Sequence, residues 1–272
     1  MLAKLDKVRF GPWAVITGAS SGIGKEFARQ IAASGINVVL VARREALLRQ
    51  AGLEFSNAYG IAHRIVVADL SEEGFLTRLA SATDGLDIGL VVSNAGTANP
   101  GEFLKLDRKE LVRLLKLNSL AHMEIAHHFG SGLVQRHSGG IVLCGAMGAV
   151  QGVPFMANES GAKSYVQSFG EVLHTELSPL GVSVSVLIIG PTQTAIIEKI
   201  GFDPATMPMK PMPVEQCVFE GLEALKRNRA THLSGRMNRI MNALIPTSLS
   251  RGMMHKMMAK ALATRTQTAA TL

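Results

Sequence analysis

A chain of 272 residues, 47% hydrophobic and 18% charged, can bury one large core and carries too little charge for long disordered tails. The formal net charge of +7 reads first as a solvated basic surface and otherwise suits an anionic cofactor or an acidic membrane surface. No basic run is interleaved with aromatic residues, so a nucleic-acid partner is not expected. The two cysteines, Cys144 and Cys217, make neither a C-x-x-C metal spacing nor a disulfide framework, which fits a reducing compartment. Met1 to Phe10 lacks the apolar run of a secretory signal, and no stretch is long and apolar enough to span a bilayer as a helix. The chain reads as cytoplasmic, at most peripheral to a membrane.

Trp13 to Thr17 is an apolar run that reads as a buried strand. It leads into Gly18-Ala19-Ser20-Ser21-Gly22-Ile23-Gly24 and then a helix over Lys25 to Ala33. Strand, glycine-rich turn and helix form the first unit of a dinucleotide-binding βαβ fold. The glycines let the backbone approach a pyrophosphate, and the helix N-terminus offers it unpaired N–H groups. Asn37 to Ala42 is a second strand, ending in Arg43-Arg44 where an NAD enzyme would place an acid for the ribose hydroxyl. A guanidinium there suits a 2′-phosphate, so NADP(H) is expected over NAD(H).

Strands follow at Ile65 to Ala68, Ile88 to Ser93, Gly140 to Cys144 and Val182 to Ile188. Helices are expected over Ser71 to Ala82 with Ser71 as cap, over Asp107 to Gln135 with an interruption, and over Glu159 to Leu177. This alternation predicts an α/β, Rossmann-like, doubly wound parallel sheet in a three-layer αβα sandwich. Ligands in such folds sit at the carboxyl ends of the strands, so Gly18, Arg43, Asp69, Asn94, Ala146 and Gly190 are expected to line one crevice. Beyond Gly190 the pattern loosens. Phe202 to Pro213, with four prolines and three methionines, reads as a loop or lid. A helix over Val214 to Lys226 and a short strand at Thr231 to Gly235 follow. With no repeat or linker, one domain over residues 1–235 is expected, followed by a basic, Met-rich extension over 236–272 that Pro246 breaks.

These motifs resemble the short-chain dehydrogenase/reductase family in its single-domain form, from about Gly11 to Thr194. Thr17 to Gly24 is similar to the family's cofactor turn, and Asp69-Leu70 to its adenine-contacting pair. Asn94-Ala95-Gly96 resembles the motif after the fourth strand, and Asn118 matches the active-site asparagine. The resemblance implies cofactor contacts from Gly18, Ser20, Ser21, Gly22, Ile23, Gly24, Arg43, Asp69, Leu70, Asn94, Ala95, Gly96, Lys163, Pro191, Thr192 and Thr194. It also implies a small-molecule substrate and a homodimer or homotetramer.

The family's catalytic set is an asparagine, a serine, a tyrosine and a lysine. The tyrosine precedes the lysine by one helical turn, so the ammonium lowers the phenol's pKa and the phenol protonates the carbonyl oxygen as hydride arrives. Lys163, in Gly161-Ala162-Lys163-Ser164, fits the lysine. The tyrosine position is then Glu159, and the serine position, thirteen residues earlier, is Ala146. Ile189 also departs from a frequent proline. The candidate catalytic residues are therefore Lys163, Asn118 and Glu159. A free glutamate has a pKa of about 4.3 against about 10 for tyrosine, so near Lys163 an exposed Glu159 would be ionised and a poor donor. Burial opposes that, and an i, i+4 ion pair between Glu159 and Lys163 is the plain structural alternative. Tyr165, about 200° around the helix from Lys163, faces away from it.

Two functional readings follow. One is an NADP(H)-dependent oxidoreductase with altered proton transfer, acting on a small apolar carbonyl or imine. The other is an inactive relative that binds NADP(H) as a sensor or scaffold. His122, Glu124, His127 and His128 lack the H-E-x-x-H spacing of a metal site, and none is expected. Met253, Met254, Met257 and Met258 form one broad helical face, for core packing or a dimer contact. Arg251, Lys256 and Lys260 beside them leave weak membrane-surface contact through the C-terminal segment as the alternative.

Overall fold

The computed structural model describes residues 1–201 and 210–270. Its centre is a sheet of seven parallel strands: β1 (Trp13–Thr17), β2 (Asn37–Ala42), β3 (His63–Val67), β4 (Ile88–Ser93), β5 (Gly140–Ala146), β6 (Ser183–Ile189) and β7 (Thr231–Leu233). The spatial order is β3-β2-β1-β4-β5-β6-β7, with every neighbouring pair parallel. The order reverses between β1 and β4, so a crevice opens at their carboxyl ends.

The helices are α1 (Lys7–Phe10), α2 (Gly22–Ala32), α3 (Glu45–Tyr59), α4 (Phe75–Thr83), α5 (Arg108–Leu115) and α6 (Ala121–Gln135). They continue with α7 (Gly148–Gln151), α8 (Ala157–Leu177), α9 (Ala195–Ile200), α10 (Val214–Lys226), α11 (Arg236–Leu244) and α12 (Thr247–Ala270). Strand side chains alternate between the two faces. Ala14, Ile16, Val38 and Leu40 join Phe27, Ile31, Phe55 and Leu222 under α2, α3 and α10. Val15, Val39 and Val41 join Phe75, Leu79, Ile125 and Phe129 under α4 and α6. Each such fully buried large side chain contributes roughly 1.5–3 kcal/mol of transfer free energy.

One sequence expectation needs correction. The helix expected from Ser71 begins at Phe75, because Asp69 Oδ1 accepts both the Ser71 backbone N–H (3.0 Å) and its hydroxyl (2.6 Å). That turn occupies the would-be cap, and Gly74, in the left-handed region at φ 80°, delays the helix start. The long helix is indeed interrupted, by a π segment over Lys116–Leu120 that widens the turn around Asn118. The short helices α1, α7 and α9 have no counterpart among the expected elements. The break at Pro246 stands between α11 and α12.

Of the segment read as a lid, residues 202–209 lie outside the described residues. Its far end is anchored: the Met212 N–H donates to Pro191 O (2.9 Å), and the Gln193 N–H to Met212 O (3.0 Å). Of the methionine face expected on α12, Met254 and Met258 pack back onto the body, whereas Met253 points outward, 45% exposed. Met258 is fully buried with Ala98 and Met156, and Met254, Val153, Phe155 and Ile200 close around them. Among the described residues no helix is long and apolar enough to cross a membrane.

Candidate active site

The ends of β1 and β4 are locked together by one hydroxyl. Thr17 Oγ1 accepts the N–H groups of Asn94 (2.8 Å) and Ala95 (3.0 Å), and Asn94 Nδ2 returns a bond to Thr17 O (3.0 Å). The glycine turn packs into this corner. A Cβ at Gly24 would lie 2.2 Å from Gly18 O, so only glycine lets α2 start so close to β1. Above it runs a cleft of about 680 Å³. Gly18, Arg43, Asp69, Asn94, Ala146 and Gly190 all line it, as the strand-end rule requires. Ser20, Ser21, Gly22, Ile23, Gly24, Leu70, Ala95, Gly96, Pro191, Thr192 and Thr194 line it as well.

One end of the cleft is cationic. Arg44 Nη2 reaches over the glycine turn to Ser20 Oγ (2.9 Å) and Ser21 Oγ (2.6 Å). Arg43 stands more exposed at the rim, 3.4 Å from Asp69. Arg113, from α5, binds Asp69 at 2.9 Å. Burial alone would raise the Asp69 pKa, but hydrogen bonds from Ser71 and Arg113 bring it down to about 2. A helix N-terminus, serine hydroxyls and guanidinium groups around a groove that glycines keep open form a cradle matched to a dinucleotide with phosphate groups.

The other end holds the residues that chemistry would need. Lys163 is buried on α8, and its Nζ donates to Cys144 O at 2.8 Å. His122, fully buried on α6, lies with Nε2 3.5 Å from Lys163 Nζ. Burial, then the charge of Lys163, drives the His122 pKa well below its ordinary value, so the ring is neutral. Burial also lowers the Lys163 pKa. Asn118 stands behind the cleft wall and clamps Thr97: its Oδ1 accepts the Thr97 N–H (2.9 Å) and its Nδ2 donates to Thr97 O (2.8 Å). Gly96 lets Asn118 and Lys163 converge, since a Cβ there would sit 3.3 Å from Asn118 Oδ1 and 3.4 Å from Lys163 Nζ.

Glu159 lines the cleft one helical turn before Lys163. It makes no ion pair with Lys163, which corrects the plain structural alternative; Oε2 is sealed from solvent without a partner. Lys163 is instead turned to the Cys144 carbonyl. Burial lifts the Glu159 carboxyl to about 7, against the opposing charges of Lys163 and Lys199. Lys199 projects from α9 across the cleft to Thr97 Oγ1 (2.5 Å). Ala146 lines the same wall with only a methyl group. Cys144 is an inert neighbour, its thiol pushed up to about 12 by burial. Tyr165 faces away, 42% exposed and stacked on Phe169.

The sequence reading missed four participants: Arg44 as the arginine that reaches the turn, His122, Lys199, and the Met254 and Met258 wall. The first three carried no periodic signal. The methionine stripe did, but spacing alone does not name what a stripe packs against.

The fold and cleft define a dinucleotide-binding protein of the oxidoreductase type. The short chain dehydrogenase family profile matches residues 12–204, and the chain belongs to that family. A very-long-chain 3-oxoacyl-CoA reductase of Meyerozyma guilliermondii is 35% identical over 209 residues, 73% of this chain and 61% of the relative. The corresponding reductase of Neurospora crassa is 36% identical over 65% of this chain and 55% of its own length. The matched region thus spans less than two thirds of these relatives. Among solved structures, a short-chain dehydrogenase of Sphingobium yanoikuyae in complex with NADPH superposes with a TM-score of 0.77 at 30% identity, covering 82% of this chain and 87% of that one. A 7beta-hydroxysteroid dehydrogenase gives a TM-score of 0.83 at 25% identity, covering 93% and 98%.

Proposed function

We propose that the protein is an NADP(H)-dependent reductase of apolar carbonyl or imine substrates in which Glu159 replaces the family's tyrosine as proton donor. One observation carries this reading: Glu159 lines the cleft one turn before Lys163 with one carboxyl oxygen shielded from solvent, and burial lifts its pKa to about 7, so its acid form is present at neutral pH. The bound nicotinamide would supply the hydride. The glycine turn, Ser20 and Ser21 would hold the phosphates, and Arg44 with Arg43 would favour a 2′-phosphate. Glu159 would give its proton to the developing alkoxide, and the carboxylate left behind is stabilised by Lys163 and Lys199. With an iminium substrate no proton is needed, and ionised Glu159 would stabilise the cation instead. Ala146 removes the usual second donor, which narrows the site toward such substrates.

The substrate end is walled by Val153, Met156, Ile197, Ile200, Met254 and Met258, which suits an apolar group and a pliable fit. The 3-oxoacyl thioesters named for the relatives join an apolar tail to a ketone and belong in the same substrate class. The test is NADPH consumption with methyl nonyl ketone, a cyclic imine and a long-chain 3-oxoacyl thioester. Wild type is compared with Glu159→Gln and with Glu159→Tyr plus Ala146→Ser. Loss of wild-type turnover in Glu159→Gln supports the reading. Turnover only in the Tyr/Ser double variant would overturn it and leave a cofactor-binding protein without catalysis.

A further inference from the structure

Glu159 lies between two cavities. It lines the large cleft, and it also lines a second cavity of about 170 Å³. The second cavity is bounded by segments around Asn99–Leu106 and by the start of α8. Its polar groups are Asn99, Glu102 and Asn158, and its apolar walls include Phe103, Leu106 and Phe155. The mouth is at the surface, where Phe103 is 52% exposed and Glu102 and Ala157 are exposed as well.

This geometry answers a problem that the proton chemistry raises. Each reduction converts the Glu159 carboxylic acid to a carboxylate while hydride moves to the carbonyl carbon. A new proton must then reach Glu159. Cofactor and substrate would occupy the large cleft, so the second cavity offers a further path from bulk water to Glu159. The second cavity shares Asn99, Met156 and Glu159 with the cleft but has its own lining at Gly101, Glu102, Phe103, Leu106 and Phe155. At about 30 Å³ per water it has room for roughly five molecules, and Asn99, Asn158 and Glu102 supply the polar partners that such waters require. Its exposed carboxylate, Glu102, stands at the bulk end, and Glu159 lines the inner end.

We propose that this cavity is a proton inlet, separate from the substrate cleft, through which water re-protonates Glu159 after each turnover. The balance is simple: in carbonyl reduction the developing alkoxide takes the proton of Glu159 to become the alcohol, the bound nicotinamide would supply the hydride, and one proton from bulk water restores the acid. The proposal rests on the reading of Glu159 as proton donor.

The test fills the mouth. Ala157→Leu, at an exposed position, narrows the inlet, and Ala157→Ser leaves it open. With NADPH and methyl nonyl ketone, the first turnover of Ala157→Leu should match wild type within about twofold, while steady-state turnover falls by roughly tenfold; Ala157→Ser should behave as wild type. A second reading does not depend on turnover. In the NADP+-saturated protein, the infrared carboxylic acid band of Glu159, assigned by its loss in Glu159→Gln, should exchange into heavy water more slowly in Ala157→Leu. Equal slowing of first and later turnovers, or unchanged turnover together with unchanged exchange, would overturn the inlet. If wild type oxidises no NADPH at all, the reductase reading fails instead, and the exchange rate still decides whether the cavity feeds protons to Glu159.

Discussion

His122 Nε2 lies 3.5 Å from Lys163 Nζ, so a neutral, fully buried ring faces the ammonium that neighbours Glu159. Together with Cys144 O it holds the lysine back from the carboxyl. His122→Leu removes that acceptor and lets Lys163 swing toward Glu159. The expected result is a kcat lowered by roughly tenfold with little change in KM, and an alkaline limb displaced to lower pH as the freed ammonium favours the carboxylate. His122→Gln, which keeps an acceptor, should recover most of the loss. Equal profiles for Leu and Gln would reduce His122 to packing.

Glu159 also leaves a mark on stability. Its folded pKa of about 7 stands above the ordinary 4.5, so the folded state binds a proton that the unfolded state releases between those values. Stability from this group is therefore fully present below pH 4.5, falls as pH rises toward 7, and stays low above it. Glu159→Gln should raise unfolding free energy by on the order of 1–3 kcal/mol above neutrality and by nothing in the acid range. Urea melts of both proteins across that range check the sign. A gain at acid pH and none at neutral pH contradicts the burial argument.

Arg44 is the residue expected to separate the two nicotinamide cofactors. Its guanidinium already bridges Ser20 and Ser21 at the turn. Arg44→Ala should weaken NADP+ binding by about 1.5–3 kcal/mol, the range for a hydrogen bond to a charged group, and leave NAD+ binding nearly unchanged. Calorimetric titration with each cofactor reads the difference. An equal loss for both would move the 2′-phosphate contact elsewhere.

The methionine wall should reveal itself through affinity. Met254 is partly buried at the cleft and Met258 wholly buried beneath it. Met258→Ala is expected to cost about 2–5 kcal/mol of stability through a cavity in a small cluster. Met254→Ala should chiefly raise KM for methyl nonyl ketone and spare KM for short ketones. Identical effects on long and short ketones would remove α12 from substrate binding.

Much of this architecture is written locally. Apolar runs such as Asn37 to Ala42 specify buried parallel strands, and the spacing Gly18-x-x-x-Gly22-x-Gly24 specifies its own turn, so both are legible without neighbours. Ser71 misled because it obeys a partner two residues back, Asp69, rather than the helix ahead. The decisive property of Glu159 was illegible for a deeper reason. A carboxyl's pKa reflects all that surrounds it, and here the surroundings include Lys199 from α9, distant in sequence. His122 was hidden likewise: its spacing within α6 excludes a metal motif but says nothing of the lysine across the interface.

Gln151 closes α7 at the edge of the cleft, and α12 is fastened to it three times. Arg251 donates to the Gln151 carbonyl through Nε (3.0 Å) and Nη2 (2.8 Å), and the Ser250 hydroxyl donates to its side-chain oxygen (2.7 Å). Any displacement of the C-terminal helix must break all three at one residue while it strips Met254 and Met258 from their apolar neighbours. Wetting of the greasy wall and release of this polar fastening are therefore a single event.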